Sequence, residues 1–228
     1  MTYKNVFIDL DRTLWDFETN SKETLNEIFF NYDINKYCEF SKFYKTYRNI
    51  NDDLWGKYRS NQITKEILSW KRFYLTNISF GYDDENVALK MGKDYISNSP
   101  YKTKLFPNTH EILKHLSERY NLYLITNGFK EVQYLKIKNC DIEKYFKKIF
   151  TSEEVGFSKP HIKYFEYVLE STCSTPKDSI VIGDDLEVDV KGAKQLNIDT
   201  IWFKNGDENQ EGQSKYIIKS LQEIIEIL

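Results

Sequence analysis

The feature that most constrains this chain is an apolar run that ends in acid. Val6-Phe7-Ile8 has the β-branched and aromatic character of a buried strand, and it stops at Asp9-Leu10-Asp11 before an Arg12-Thr13-Leu14 turn. Alternation along an extended chain puts the Asp9 and Asp11 side chains on the same side. In an open α/β sheet, ligands bind at the carboxyl ends of the strands, so the two acids are expected at the rim of a site. Taken alone, an Asp-x-Asp suits equally well a turn capped by Asp11 with Asp9 in solvent. The rest of the chain has to decide.

From Leu105 onward the pattern alternates. Helices are expected over 109–119, 129–138, 162–171 and 188–196, and strands over 122–126, 148–151, 179–182 and 199–203, with a closing helix over 220–228. Such alternation points to a mainly parallel sheet flanked by helices on both faces, a Rossmann-like α/β core. Residues 16–99 differ: they contain no Pro, and apolar residues recur at helical spacing in the sets Leu25, Ile28, Phe29; Phe43, Tyr47, Ile50, Leu54, Tyr58; Ile67, Trp70, Phe73, Tyr74; and Val87, Met91, Tyr95, Ile96. They read as an inserted α-helical cap, with 1–15 and 100–228 forming the core. Ser99-Pro100 and Phe106-Pro107 punctuate the return.

Composition narrows the function. The 32 basic and 35 acidic residues nearly cancel, so there is no basic field to hold a nucleic-acid polymer, which leaves room for a small phosphate-bearing partner. Cys38, Cys140 and Cys173 are few and widely spaced, which suits reduced thiols. With no stretch long enough to span a bilayer and no leader-like start, a cytoplasmic protein is expected, as a monomer or homodimer.

The strand-end rule can be applied at every junction. The strands lead into Asp9 and Asp11, into Thr126-Asn127-Gly128, towards Ser158-Lys159-Pro160, and into Gly183-Asp184-Asp185 with Asp189 close behind. A doubly wound sheet would gather these loops on one edge. A phosphate dianion could approach so many acids only with a hard divalent cation to offset the repulsion.

In this order, the four motifs resemble those of the haloacid dehalogenase superfamily, over roughly residues 4–14 and 105–203. The resemblance implies that the helical insert is a type 1 cap closing over the site. It also implies that Asp9 attacks phosphorus to form an aspartyl-phosphate and that Asp11 serves as general acid and base. Lys159 would lie against the phosphate, and the Thr126 hydroxyl with the Asn127 and Gly128 amides would hold phosphoryl oxygens. Mg²⁺ is the implied cofactor, bound by the Asp9 and Asp184 carboxylates and the Asp11 carbonyl, with Asp189 in support. Asp185 stays open between ligand support and a turn role. Superfamily members that cleave carbon–halogen bonds lack the second acid, so Asp11 favours phosphoryl transfer.

Three stretches are also similar to the bacterial pyrimidine 5'-nucleotidases of the YjjG/YfnB type: 9–17, Ile125-Thr126-Asn127-Gly128-Phe129-Lys130-Glu131-Val132-Gln133, and 152–160. That likeness implies a nucleoside 5'-monophosphate substrate. Trp15 and Phe17 are then candidates to stack a base or ribose, or alternatively a hydrophobic hinge. A sugar-phosphate phosphatase, a phosphomutase on the same scaffold and a non-catalytic regulator are the competing readings.

Overall fold

The computed structural model describes residues 3–204 and 213–228. Two compact units result: Met1–Phe17 with Thr103–Leu228, and Glu18–Lys102. Strand β1 (Asn5–Ile8) opens the first. Helices α1 (Phe17–Asn31), α2 (Phe40–Arg59), α3 (Lys65–Ile78) and α4 (Glu85–Asn98) supply most of the second. The chain then returns through α5 (Thr109–Ser117), β2 (Asn121–Thr126), α6 (Lys130–Asn139), β3 (Lys148–Thr151), α7 (Ser152–Val155), α8 (Ile162–Ser171), β4 (Ser179–Gly183), α9 (Lys191–Lys194), β5 (Asp199–Phe203), β6 (Tyr216–Ile218) and α10 (Ile224–Ile227).

The six strands form one sheet in the order β3-β2-β1-β4-β5-β6, and every pairing is parallel. β1 and β4 are buried at every residue, as strands covered on both faces must be. Their alternate side chains enter different cores. Val6, Ile8, Ile180 and Ile182 pack with Ile112, Leu113 and Leu116 of α5, whereas Phe7 and Val181 pack with Tyr164, Phe165 and Val168 of α8. Each fully buried side chain of this size contributes about 1.5–3 kcal/mol. Ile8 lies beside both Leu124 of β2 and Ile182 of β4. The carboxyl ends of three adjacent strands therefore open on one edge, at the point where the strand order reverses.

The helical unit has its own core of Leu25, Ile28, Phe29, Phe43, Tyr47, Phe73, Ala88, Met91 and Tyr95. Thr64 and Asp84 begin α3 and α4 by accepting hydrogen bonds from Ile67 N and Val87 N. The α3 stripe departs from expectation. Its buried residues are Leu68, Arg72, Phe73, Thr76 and Asn77, while Ile67 and Trp70 are partly exposed. Arg72 is buried because its guanidinium bonds Asn51 and lies over the Tyr95 ring, which apolar periodicity does not register.

Three further differences lie in the first unit. The helix expected from Val188 is preceded by a π-helical turn over Leu186–Val190 and is shorter. Strand β6 went unseen because three residues are too few for a period. On α6, Leu135 is exposed while Gln133 and Lys136 are buried, an inversion explained by the site. The three cysteines are free, and no helix among the described residues is long and apolar enough to cross a membrane.

Candidate active site

The turn after β1 is wound around one carbonyl. Leu10 O accepts from the amides of Thr13, Leu14 and Trp15, and Arg12 takes φ 69° to make the reversal, a left-handed conformation uncommon for a residue with a Cβ. The winding turns Thr13 inward, where it is fully buried. Its hydroxyl reaches Asp9 Oδ2 at 3.1 Å and Asp184 Oδ1 at 3.4 Å. Asp9 is itself only 7% exposed, which excludes the solvent-facing alternative.

Lys159 is buried between two of the acids. Its ammonium donates to Asp9 Oδ1 at 2.7 Å, to Asp189 Oδ1 at 2.6 Å and to the Ile125 carbonyl at 3.2 Å. Burial alone would push this amine down, but the Asp189 and Asp9 charges outweigh it and hold the proton far more tightly than on a free lysine. Asn127 locks the backbone here, its Nδ2 donating to Lys159 O and its Oδ1 accepting from Lys159 N, both at 2.8 Å. Asp189 reaches Lys159 because the wide π-helical turn carries its carboxylate back to the Asp185 amide, which donates to Oδ2 at 3.2 Å. Asp185 has the turn role: its Oδ1 accepts from the Glu187 and Val188 amides.

Oxygens of Asp9, Asp184 and Asp189 lie within 4.8 Å of one another. Three carboxylates against the one Lys159 ammonium leave two negative charges, and hard oxygen donors of this kind fit a divalent cation such as Mg²⁺. Burial, with like charge from Asp189 and Asp11, pushes the Asp9 carboxyl up to about 7 despite Lys159. Burial and the Asp9 and Asp189 charges likewise raise Asp184. Asp9 takes a donor on each oxygen, from Lys159 and Thr13, and Asp189 likewise, from Lys159 and the Asp185 amide; on Asp184 the Thr13 hydroxyl lies 3.4 Å from Oδ1.

Asp9 loses its proton at about 7 in the fold against 3.8 for an ordinary aspartate, so between these values the folded state holds more protons and rising pH weakens it. Metal-free protein should melt lower at mildly alkaline than at mildly acidic pH, and Mg²⁺ should restore more stability on the alkaline side. Thermal melts with Mg²⁺ or chelator at both pH values check this. A Mg²⁺ effect independent of pH would refute it.

The second strand end carries Thr126, whose hydroxyl oxygen accepts from the Gly128 amide at 3.1 Å and from Gln133 Nε2 at 2.6 Å. Its amide donates to the buried Tyr164 hydroxyl, which in turn donates to the Phe150 carbonyl. Two glycines are required by close approach. A Cβ on Gly128 would lie 2.4 Å from the Gln133 side chain, and one on Gly183 would lie 2.4 Å from Asp189 Oδ2.

Asp11 is held apart from this cluster. Lys136 Nζ donates to its Oδ1 at 2.6 Å and Gln133 Nε2 to its Oδ2 at 2.8 Å. Trp15, expected as a stacking surface, is instead fully buried in the sheet core, with the Lys136 ammonium 3.9 Å from its ring centroid, so it offers no face to a base. Phe17 is partly buried, and the Arg12 guanidinium lies 4.4 Å from its ring centroid. Sequence reasoning passed over Thr13, Gln133, Lys136 and Tyr164. The available signal was two polar residues on α6 where its inward face needed apolar ones.

The chain is 29% identical over 230 residues to the HAD-hydrolase YfnB of Bacillus subtilis, covering 99% of this chain and 95% of the relative. It is 26% identical to the pyrimidine 5'-nucleotidase PynA of Streptococcus pneumoniae, with 100% and 96% covered. It is likewise 26% identical to the pyrimidine 5'-nucleotidase YjjG of Escherichia coli, with 100% and 99% covered. The crystal structure of YfnB bound to magnesium superposes with a TM-score of 0.88 at 26% identity, covering 100% of this chain and 99% of that one. The family model for haloacid dehalogenase-like hydrolases matches residues 6–203, from the acid-ended strand β1 to the end of β5. An acid-ended central strand, a buried lysine between two aspartates and a match that spans the whole sheet edge lead to one assignment: the chain belongs to the haloacid dehalogenase-like hydrolase family.

Proposed function

We propose that this hydrolase is a Mg²⁺-dependent phosphomonoesterase acting on nucleoside 5'-monophosphates, with a preference for pyrimidines. The observation that carries the reading is the second acid. Asp9 is buried against Lys159, while Asp11, two residues on, is held separately and is 25% exposed at its side chain, so one acid suits attack and the other proton transfer. The similarity to two pyrimidine 5'-nucleotidases over the full chain supports the substrate class.

On this reading an Asp9 oxygen attacks phosphorus, the ester P–O bond breaks, and Asp11 gives its proton to the departing oxygen. Water then attacks the aspartyl-phosphate, Asp11 takes the proton of that water, and phosphate and free Asp9 are regenerated. Proton transfer of this kind contributes about 10²–10⁴-fold. Lys159 holds the attacking carboxylate in place, and the Thr126 hydroxyl with the Asn127 amide supplies donors to the phosphoryl oxygens, while the Gly128 amide expected beside them is spent on Thr126 Oγ1. The Asp9 and Asp184 carboxylates and the Asp11 carbonyl would hold Mg²⁺, which when bound offsets the repulsion between the acids and the phosphate.

The test is phosphate release, with and without Mg²⁺, from a panel of nucleoside monophosphates, sugar phosphates and p-nitrophenyl phosphate. Fastest Mg²⁺-dependent release from UMP, dUMP or dTMP is the expected result. A sugar phosphate released fastest would discard the nucleotide assignment, and no release from any substrate would overturn the reading as a whole.

A further inference from the structure

The strand-end motifs supply Asp11 but do not aim it. That is done from α6. Gln133 and Lys136 are three residues apart and so share a face of the helix, and between them they give one donor to each Asp11 oxygen. Two of the four acceptor positions of the carboxylate are thereby taken, its rotation is fixed, and the others stay available to the proton it carries. Both side chains are otherwise costly where they are: Gln133 is 0% exposed and Lys136 4%. Lys136 is steadied by the Trp15 ring below its ammonium, and the start of α6 by Glu153 and Glu154, which bond Lys130 N and Lys130 Nζ.

Gln133 does a second thing. The same Nε2 that donates to Asp11 also donates to Thr126 Oγ1. With the Gly128 amide as second donor, both Thr126 lone pairs are used, and the hydroxyl keeps its own hydrogen to give away. The amide cannot be turned over, because its oxygen would then face the Asp11 carboxylate. That oxygen, Oε1, is buried without a hydrogen-bond partner among the described residues, a cost consistent with an orientation set by the two acceptors.

We propose that Lys136 and Gln133 are positioning residues for the proton transfer. They hold the Asp11 carboxyl towards the departing ester oxygen, and Gln133 couples that acid to the hydroxyl that binds the phosphoryl group. The inference rests on the phosphomonoesterase reading and adds a consequence to it. Lys136 matters in proportion to the need of the leaving group for a proton, whereas Gln133 also serves the phosphoryl group that every substrate carries. A nucleoside alkoxide takes the Asp11 proton as its P–O bond breaks; nitrophenolate departs as a stable anion and needs none.

The experiment measures kcat/KM, which spans the steps up to formation of the aspartyl-phosphate, for Lys136→Met at saturating Mg²⁺. The substrates are p-nitrophenyl phosphate and UMP, or the fastest alkyl phosphoester of the panel. Loss of about 10–100-fold with the alkyl ester and of no more than about threefold with p-nitrophenyl phosphate is expected. Lys136→Arg should recover most of the alkyl-ester loss, and Lys136→Met should add nothing in an Asp11→Asn background. Equal losses on both substrates, or losses that add to those of Asp11→Asn, would overturn the proposal. Should Lys136→Met fail to fold, Lys136→Gln carries the same two readouts. A wild-type protein that hydrolyses neither substrate overturns the phosphomonoesterase reading instead, and does so before any variant is made.

Discussion

Asp9→Asn is expected to reduce phosphate release by about 10⁴-fold or more, since an amide has no anionic oxygen to attack phosphorus and an activated nucleophile is not replaced by its neighbours. The same change should leave the fold intact. Asn keeps the size of Asp, with an oxygen to accept from Lys159 and an NH2 to donate to the Thr13 hydroxyl oxygen, and it removes the carboxyl that burial pushes up to about 7. Metal-free Asp9→Asn should therefore melt no lower than wild type at mildly alkaline pH, and Mg²⁺ should stabilise it less. Activity assays beside thermal melts separate the outcomes. Retained turnover would remove Asp9 as the nucleophile, and loss of folding would show that the carboxylate is needed for structure first.

Lys159→Met should have the largest effect on stability. The ammonium is the cation that the structure sets between Asp9 and Asp189, with side-chain exposures of 1%, 10% and 2% for Lys159, Asp9 and Asp189. Breaking a buried pair by removing one partner costs about 3–5 kcal/mol, because the other charge is left without compensation. For a chain of this size that is a fall of roughly 10 °C in melting temperature. The sign of the pH dependence is testable. In the variant, acidification neutralises the stranded carboxylates, so the deficit relative to wild type should shrink at mildly acidic pH; a deficit that stays constant would mean lost packing and not lost charge. Turnover should fall in parallel, and Lys159→Arg should not rescue it, since a guanidinium does not fit the space that one ammonium shares with two carboxylates and the Ile125 carbonyl.

The positions that the sequence marks at strand ends do meet on one sheet edge. Asp9, Lys159, Asp184 and Asp189 fall within a connected set of hydrogen bonds and carboxylate contacts, and Thr126 is joined to Asp11 through Gln133. The reason is physical: parallel strands in register bring their carboxyl ends level, so a residue just past an apolar run lands there whatever its distance along the chain. Trp15 follows the acid pair closely and looked like a surface for a base, yet it is core. Only the packing of α6, with Lys136 over the ring, decides that. Asp185 was undecidable from its neighbours in sequence; in the fold its Oδ1 accepts from two backbone amides, the bonding of a turn residue.

By itself the sequence determined the alternation of strands and helices, the helical insert, and the acids, lysine and hydroxyl at the strand ends, because apolar periodicity and the chemistry of a strand terminus are local properties. The tertiary structure alone decided what surrounds them. Gln133 and Lys136 lie 122 and 125 residues from Asp11, on a helix whose inward face looks polar. Polar residues on a face that should be apolar are a local signal, but it does not say what they bond. Burial and the fixed distance to a carboxylate on another strand end do, and those exist only once the sheet has formed.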